Sequence, residues 1–259
     1  MTSGSLHLRL CRGSKGKTLD TDNNKTFTTV MSTRKAIIII VTSLLIAAAK
    51  ADAQSLKQWR DSLNIINDKI DLYPDSLSLQ LDKAAVNLQL LEWEDAITSC
   101  SKVLEKDRSN LTALYYRAYA NSSLRCYQQA EADYETFLSM SPRNMEARLG
   151  LAYTYIRQRR ETDALDQFNN LVEMYPDSTI TYAARAELEK DMQMYEPALY
   201  DLDRALEHNP ANRDYVVSKV EILLLLNRKR EARTALDNAV QAGVPRGLLH
   251  QWYKKCKAK

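Results

Sequence analysis

Residues 111–144 have the sequence LTALYYRAYANSSLRCYQQAEADYETFLSMSPRN. Its Ala118, Ala130 and Pro142 are spaced twelve residues apart, and the spacing recurs along the chain with a period of 34 residues. A fixed period of this length is typical of repeat proteins, in which each unit packs only on its neighbours. The chain is therefore predicted to be a row of similar units.

The period is clearest in nine alanines at places 8 and 20 of the units, where place 1 of the first unit is Leu77. Small residues there let two helices approach closely, and a larger side chain would overpack the contact at a cost of about 1–3 kcal/mol. Proline at place 32 of most units cannot continue the second helix. The predicted repeat-packing residues are Ala84, Ala96, Ala118, Ala130, Ala152, Ala164, Ala186, Ala198 and Ala232.

The run Leu114-Tyr-Tyr-Arg-Ala118, followed by Tyr127-Gln-Gln-Ala130 and Pro142, resembles the tetratricopeptide repeat pattern. The resemblance implies an all-α, right-handed α-solenoid of antiparallel pairs, helix A and helix B, with about twelve helices. The family commonly has glycine at place 15; of the residues found there, Asn227 alone readily adopts a left-handed backbone. The predicted segments are five units at 77–110, 111–144, 145–178, 179–212 and 213–246, with capping helices in 54–76 and 247–259.

The N-terminal region has the pattern of an export signal. Arg34 and Lys35 precede residues 36–49, which are apolar at all but two positions, and Ala51-Asp52-Ala53 follows. Fourteen residues of helix rise only about 21 Å, less than the roughly 30 Å hydrocarbon core of a bilayer. Residues 31–53 are therefore predicted to be a signal peptide, and residues 1–30 a disordered leader that is not translated if synthesis starts at Met31.

This pattern predicts an exported protein, in the bacterial periplasm or secreted, with no stable membrane insertion after cleavage. The alternative is an anchor formed by the uncleaved hydrophobic segment. Eight of the 36 basic and three of the 33 acidic residues lie in residues 1–53, so residues 54–259 carry 28 bases and 30 acids. A nearly neutral folded part argues against nucleic acid as the partner.

The chain has no motif of a catalytic or cofactor site. Its three histidines have no second ligand at metal-binding spacing, and no glycine-rich phosphate loop or nucleophile motif is present. We therefore expect no metal, no cofactor and no enzymatic activity. Cys100, Cys126 and Cys256 lie beyond the predicted signal, and whether any of them forms a disulfide is left open.

The resemblance also implies that the A helices line a concave groove. Tyrosine offers large contact area with a hydroxyl for hydrogen bonds, and the acidic side chains of units 4 and 5 would attract a basic segment. Members of the family that bind the terminal carboxylate of a peptide use Lys or Arg and Asn at places 5 and 9, and this chain lacks these residues there. A C-terminal carboxylate is therefore not expected to be the main determinant of binding. The predicted groove residues are Tyr115, Tyr119, Leu149, Tyr153, Ile156, Arg157, Glu187, Lys190 and Glu221.

Three functions remain open at this point. The leading prediction is a non-catalytic scaffold of the cell envelope that holds a protein or peptide in the groove, although the tyrosines also suit ordinary packing. The alternative is a self-associating module, and thus a homo-oligomer, that uses a patch of Leu224 and Leu225, unless the C-terminal cap covers these leucines. Glycan binding through the tyrosines is a minor alternative.

Overall fold

The structure is a computed structural model that describes residues 55–257, so the predicted leader and signal peptide lie outside the described residues. The described residues from Trp59 onward form one compact unit. Helix α1 spans residues 55–72. The A helices are α2 (Leu77–Gln89), α4 (Leu111–Ser123), α6 (Met145–Arg157), α8 (Thr179–Asp191) and α10 (Arg213–Leu225). The B helices are α3 (Trp93–Lys106), α5 (Tyr127–Met140), α7 (Glu161–Met174), α9 (Tyr195–His208) and α11 (Lys229–Gln241).

A 3₁₀ turn, Arg246–Leu249, and α12, His250–Lys257, complete the described chain. The described residues thus hold twelve α-helices, and the predicted all-α solenoid is confirmed. Within residues 55–257, no helix combines the length and the apolar character that crossing a lipid bilayer requires.

Each A helix begins just after an asparagine or a serine: Ser76, Asn110, Asn144, Ser178 and Asn212. The side-chain oxygens of Asn110 and Asn144 accept hydrogen bonds from the third backbone N–H of α4 and α6, at 3.1 and 2.8 Å. Such an N-cap satisfies a donor that has no partner inside the helix and contributes about 1 kcal/mol. The caps therefore fix where each unit starts.

The turn from helix A to helix B is left-handed in all five units. The residues at place 15 have φ between 59 and 64°, although four of the five are not residues that favour this conformation. In the first unit, the N–H of Leu91 donates to the carbonyl of Leu88 and the N–H of Glu92 to that of Asn87. This Schellman pattern recurs in every unit and satisfies the last carbonyls of helix A. These residues are Leu91, Arg125, Arg159, Gln193 and Asn227.

The solenoid has its A helices on the inner side. Neighbouring A helices contact each other, as α2 does α4 and α8 does α10, whereas each described B helix packs mainly on the A helices before and after it. When the helices on one side of a row of helical pairs lie closer together than those on the other side, the row curves toward the closer side. The A helices therefore line the concave face. All nine predicted repeat-packing alanines are buried, and the apolar core forms two clusters that meet in α8.

Candidate functional site

The concave face exposes two tyrosines from adjacent A helices. Tyr119 on α4 is 45% exposed and packs edge-on against Trp93, with 5.8 Å between ring centroids. Tyr153 on α6 is 52% exposed and packs edge-on against Phe168 at 6.0 Å. Each ring is held in place by an aromatic residue of helix B and still offers about half of its surface to solvent. The structure therefore exposes both of these predicted groove residues at place 9 of adjacent A helices, each with its ring oriented by an aromatic neighbour.

The other apolar groove candidates belong partly to the core. Tyr115 is half-buried between Tyr134 and Phe137, with centroids 6.1 and 6.2 Å away. Burial raises the pKa of the Tyr115 phenol, and the Glu146 carboxylate adds to this shift. Leu149 and Ile156 are also partly buried and pack on the first core cluster. These three residues support the floor of the groove more than they offer free surface.

Three of the four charged groove candidates pair with one another. Lys190 lies between two carboxylates, with its Nζ 2.5 Å from Glu187 and 3.8 Å from Glu221. Arg157 is exposed, and its Nε donates to the hydroxyl of Tyr127 at 3.2 Å. Since Lys190 offsets much of the negative charge, this region attracts a basic segment less strongly than the sequence suggests.

An open cleft of about 620 Å³ lies at the C-terminal end of the concave face. Leu224, Leu225 and Trp252 line it together with Lys190, Glu221 and Lys255. Leu224 is partly buried against the second core cluster, which includes Trp252. Leu225 stays 65% exposed, so the terminal helix covers only one of the two leucines.

Two buried ion pairs were not found by sequence reasoning. Arg117 donates from Nε and Nη2 to both carboxylate oxygens of Asp133, at 2.8 and 2.7 Å, and from Nη1 to Ser101 at 3.3 Å. Arg185 binds Asp201 in the same way and donates to Asn169 at 2.9 Å. Each arginine thus ties its own helix B to that of the preceding unit. The signal was Arg at place 7 with Asp sixteen residues later, in units 2 and 4.

The cluster in unit 4 includes a third charged group. Glu189 is 6% exposed, and its Oε1 lies 3.9 Å from Arg185 Nε, while its Oε2 has no partner among the described residues. Burial and the Asp201 carboxylate raise the pKa of Glu189 to about 7, although Arg185 opposes the shift. Unit 2 has a neutral amide, Asn121, at the same place. Glu189 is therefore a buried acid that holds its proton near neutral pH.

The described cysteines are free thiols: Cys100 is buried, while Cys126 and Cys256 are partly buried. Burial raises the pKa of the Cys100 thiol to about 12, so it stays protonated as an apolar core residue. Within residues 55–257, no group of three His, Cys, Asp or Glu side chains is arranged to hold a metal ion.

Comparison with known proteins identifies the repeat. A tetratricopeptide repeat family model matches residues 122–179. FK506-binding protein-like from Mus musculus is 33% identical over 92 residues, which are 36% of this chain and 26% of that protein. Peptidyl-prolyl cis-trans isomerase FKBP4 from Homo sapiens is 34% identical over 85 residues, 33% of this chain and 18% of that protein. The matched region thus spans about a quarter or less of these relatives.

Solved structures share the fold over more of the chain. A tetratricopeptide repeat protein from Parabacteroides merdae has a TM-score of 0.57 and 21% identity, over 78% of this chain and 79% of that one. YrrB, described as a TPR protein with an unusual peptide-binding site, has a TM-score of 0.54 and 19% identity, over 69% and 92%. MamA has a TM-score of 0.57 and 14% identity, over 64% and 90%. Residues 122–179 thus match the tetratricopeptide repeat, and the 34-residue helical pairs of the described chain share the fold of tetratricopeptide repeat proteins.

Proposed function

We propose that this protein is a non-catalytic scaffold that holds a polypeptide segment in its concave groove. The observation that carries the proposal is the pair Tyr119 and Tyr153, which are half exposed at the same place of adjacent A helices. A single exposed aromatic residue is common, whereas exposed aromatic residues on adjacent helices form a patch of the kind that marks an interaction surface. Tetratricopeptide repeat proteins generally bind protein or peptide partners, which agrees with this use of the groove.

The geometry sets the spacing of the partner's anchors. Tyr119 and Tyr153 stand on neighbouring A helices, and the axes of packed helices lie about 8–10 Å apart. A segment in polyproline II conformation repeats its face every three residues, over about 9 Å. The groove therefore fits an extended segment with apolar or proline side chains three residues apart, one on each ring.

The absence of catalysis is part of the proposal. The Homo sapiens relative is an isomerase by name, but the matched region is only 18% of its length. The sequence has no motif of a nucleophile, metal ligand set or phosphate loop. The repeat region here serves for recognition, and any chemistry is done by the bound partner.

Location in the cell envelope is also part of the proposal, and the pattern of residues 31–53 supports it. Fractionation of cells that express the chain with and without residues 31–53 tests this location. A protein in the periplasm or medium that has lost this segment supports export. A full-length protein in the cytoplasm in both cases contradicts it.

A peptide-display selection against the purified protein tests the binding function. The selected peptides are measured by fluorescence anisotropy against the wild type and against Tyr119→Ala/Tyr153→Ala. Loss of two aromatic contacts of about 1–2 kcal/mol each predicts a drop in affinity of roughly 30- to 1000-fold. Circular dichroism and melting must remain unchanged for the comparison to hold.

Tyr200→Ala is the matched control, because Tyr200 is 63% exposed but lies on a B helix. It is expected to leave the affinity unchanged. Peptides that bind the double variant as well as the wild type would place the binding surface outside the tyrosine groove and contradict the proposal.

A further inference from the structure

The C-terminal end of the solenoid differs in charge from the rest. Residues 228–259 contain nine Lys and Arg but only two acids, a net charge of +7. Residues 54–227 contain 19 bases and 28 acids, a net charge of −9. The nearly neutral total therefore hides a strong asymmetry along the molecule. Asymmetry of this size produces a positive potential around the last unit and α12.

The cations at this end are available to a partner. Six of them are exposed and form no ion pair with a described carboxylate: Arg230, Arg233, Arg246, Lys254, Lys255 and Lys257. The two acids of this region are both engaged, since Glu231 pairs with Arg228, and Asp237 accepts the Tyr253 hydroxyl at 2.7 Å. The local positive charge is therefore not neutralised within the described chain.

Two aromatic residues of α12 hold cations against their rings. The Arg246 guanidinium lies over the Tyr253 ring at 4.7 Å. The Lys255 ammonium lies over the Trp252 ring at 4.0 Å. Lys255 also lines the cleft, so the basic end and the concave groove are continuous.

The cleft offers an apolar contact beside this charge. Leu225, at 65% exposure, forms its open edge, and the buried Trp252 forms part of its wall. The indole Nε1 of Trp252 is buried and has no hydrogen-bond acceptor among the described residues. A buried donor without a partner is uncommon. The cleft thus presents an apolar surface beside the exposed cation of Lys255.

We propose that the C-terminal cleft and the basic surface of α12 dock an acidic polypeptide segment with an apolar anchor. The anchor side chain packs on Leu225 and Trp252, and carboxylates on either side of it pair with Lys254, Lys255 and Lys257. This inference extends the proposed peptide-binding function and rests on it, because it specifies the chemistry of the segment that leaves the groove at this end.

A polypeptide fits this surface better than the other anionic partners. A bilayer surface cannot enter a cleft that lies inside the curve of the solenoid. The phosphates of a nucleic acid would meet the carboxylates of Glu221 and Asp191, which line the same cleft. A peptide places its apolar side chain in the cleft and its acidic side chains outside it, so both features are used.

The test measures binding of a fluorescein-labelled peptide in which runs of glutamate flank a central leucine–phenylalanine pair. The full chain is compared with Lys254→Glu/Lys255→Glu/Lys257→Glu and with Leu225→Ser at low salt. Charge reversal is expected to weaken binding at least about tenfold, and Leu225→Ser by about three- to tenfold. The matched control, Lys102→Glu/Arg108→Glu/Arg143→Glu, makes the same change of charge on exposed residues of units 1 and 2 and is expected to change affinity less than about twofold.

Equal binding of a peptide with glutamine in place of glutamate, or equal weakening by the control, would overturn the inference. So would binding to phosphatidylserine vesicles or duplex DNA without binding to the acidic peptide. A second copy of this chain is the remaining occupant, and sedimentation tests for it. If the wild type forms an oligomer and the charge-reversal variant does not, the surface binds a second copy and the inference of an acidic partner is overturned. If Tyr119→Ala/Tyr153→Ala abolishes binding of the selected peptides while the acidic peptide does not bind, the groove function stands and this inference alone fails.

Discussion

The left-handed turns between helices A and B allow a sharp test of how the repeat is stabilised. Leu91, Arg125, Arg159 and Gln193 have φ between 59 and 64°, and all four side chains are exposed. Glycine at these places removes the clash of Cβ with the backbone and sacrifices little packing. The substitution of all four by glycine is therefore expected to stabilise the solenoid.

The magnitude follows from two opposing effects. A left-handed backbone destabilises a residue with a side chain by about 1–2 kcal/mol relative to glycine. Glycine gains conformational freedom in the unfolded chain, which offsets about 0.4–1 kcal/mol of this. The net gain is about 0.5–1 kcal/mol at each site. Because the four turns lie in different units, the gains should nearly add to about 2–4 kcal/mol.

Urea unfolding followed by circular dichroism measures this gain as a higher midpoint, with single variants separating the contributions. Asn227→Gly should gain less, since asparagine tolerates this conformation. Ala132→Gly, at an exposed position in the interior of α5, is the matched control and should lose about 0.5–1 kcal/mol. A fourfold glycine variant with an unchanged or lower midpoint would refute the argument that these turns are strained by their side chains.

Three further substitutions test the interior. The pKa of Glu189 is about 7 in the folded protein and 4.5 in the unfolded chain, so the wild type loses stability as the pH rises between these two values. Glu189→Gln should therefore stabilise the protein by up to about 3 kcal/mol at pH 8 but hardly at pH 4. Thermal melts at both pH values measure this difference. Gly150→Ala should destabilise by about 1–3 kcal/mol in urea, because its Cβ would lie 2.4 Å from Tyr134, and the loss should shrink in a Tyr134→Leu background. Asp201→Ala leaves Arg185 partly buried without its bidentate partner, and urea unfolding should show a loss of about 3 kcal/mol.

For each of these three substitutions, one outcome would contradict the expected result. A pH-independent effect of Glu189→Gln would mean that the carboxyl is ionised in the fold at neutral pH. An equal loss for Gly150→Ala with and without Tyr134 would show that contact with this ring is not the cause. A neutral Asp201→Ala would show that the ion pair is replaced by solvent.

The fold was predictable because the helix contacts that build it recur at constant places. Ala118 and Ala130 lie where two backbones meet, and neither place tolerates a large side chain, so the constraint is visible in the sequence itself. The left-handed conformation of Leu91 or Arg159 was not predictable from residue type. It follows from the hydrogen bonds that close the turn, which involve backbone atoms that every residue has.

The candidate site was only partly predictable. Spacing placed Tyr115, Tyr119 and Tyr153 on the groove-facing sides of α4 and α6, but it could not show that Tyr115 packs into the core while the other two stay half exposed. The neutralising position of Lys190 depends on the approach of α8 and α10, which is a tertiary contact. The cleft beside Trp252 depends likewise on where α12 packs, and no local pattern in the chain encodes this.

In the proposed binding mode, the partner lies against the tyrosine pair of the concave face. Site-specific photocrosslinking tests it most directly, with a photoreactive phenylalanine analogue placed at Tyr119 in one sample and at Tyr200 in another. A selected peptide is expected to crosslink from position 119 and not from position 200. Crosslinking from position 200 alone would contradict it and would place binding on the B-helix side of the solenoid.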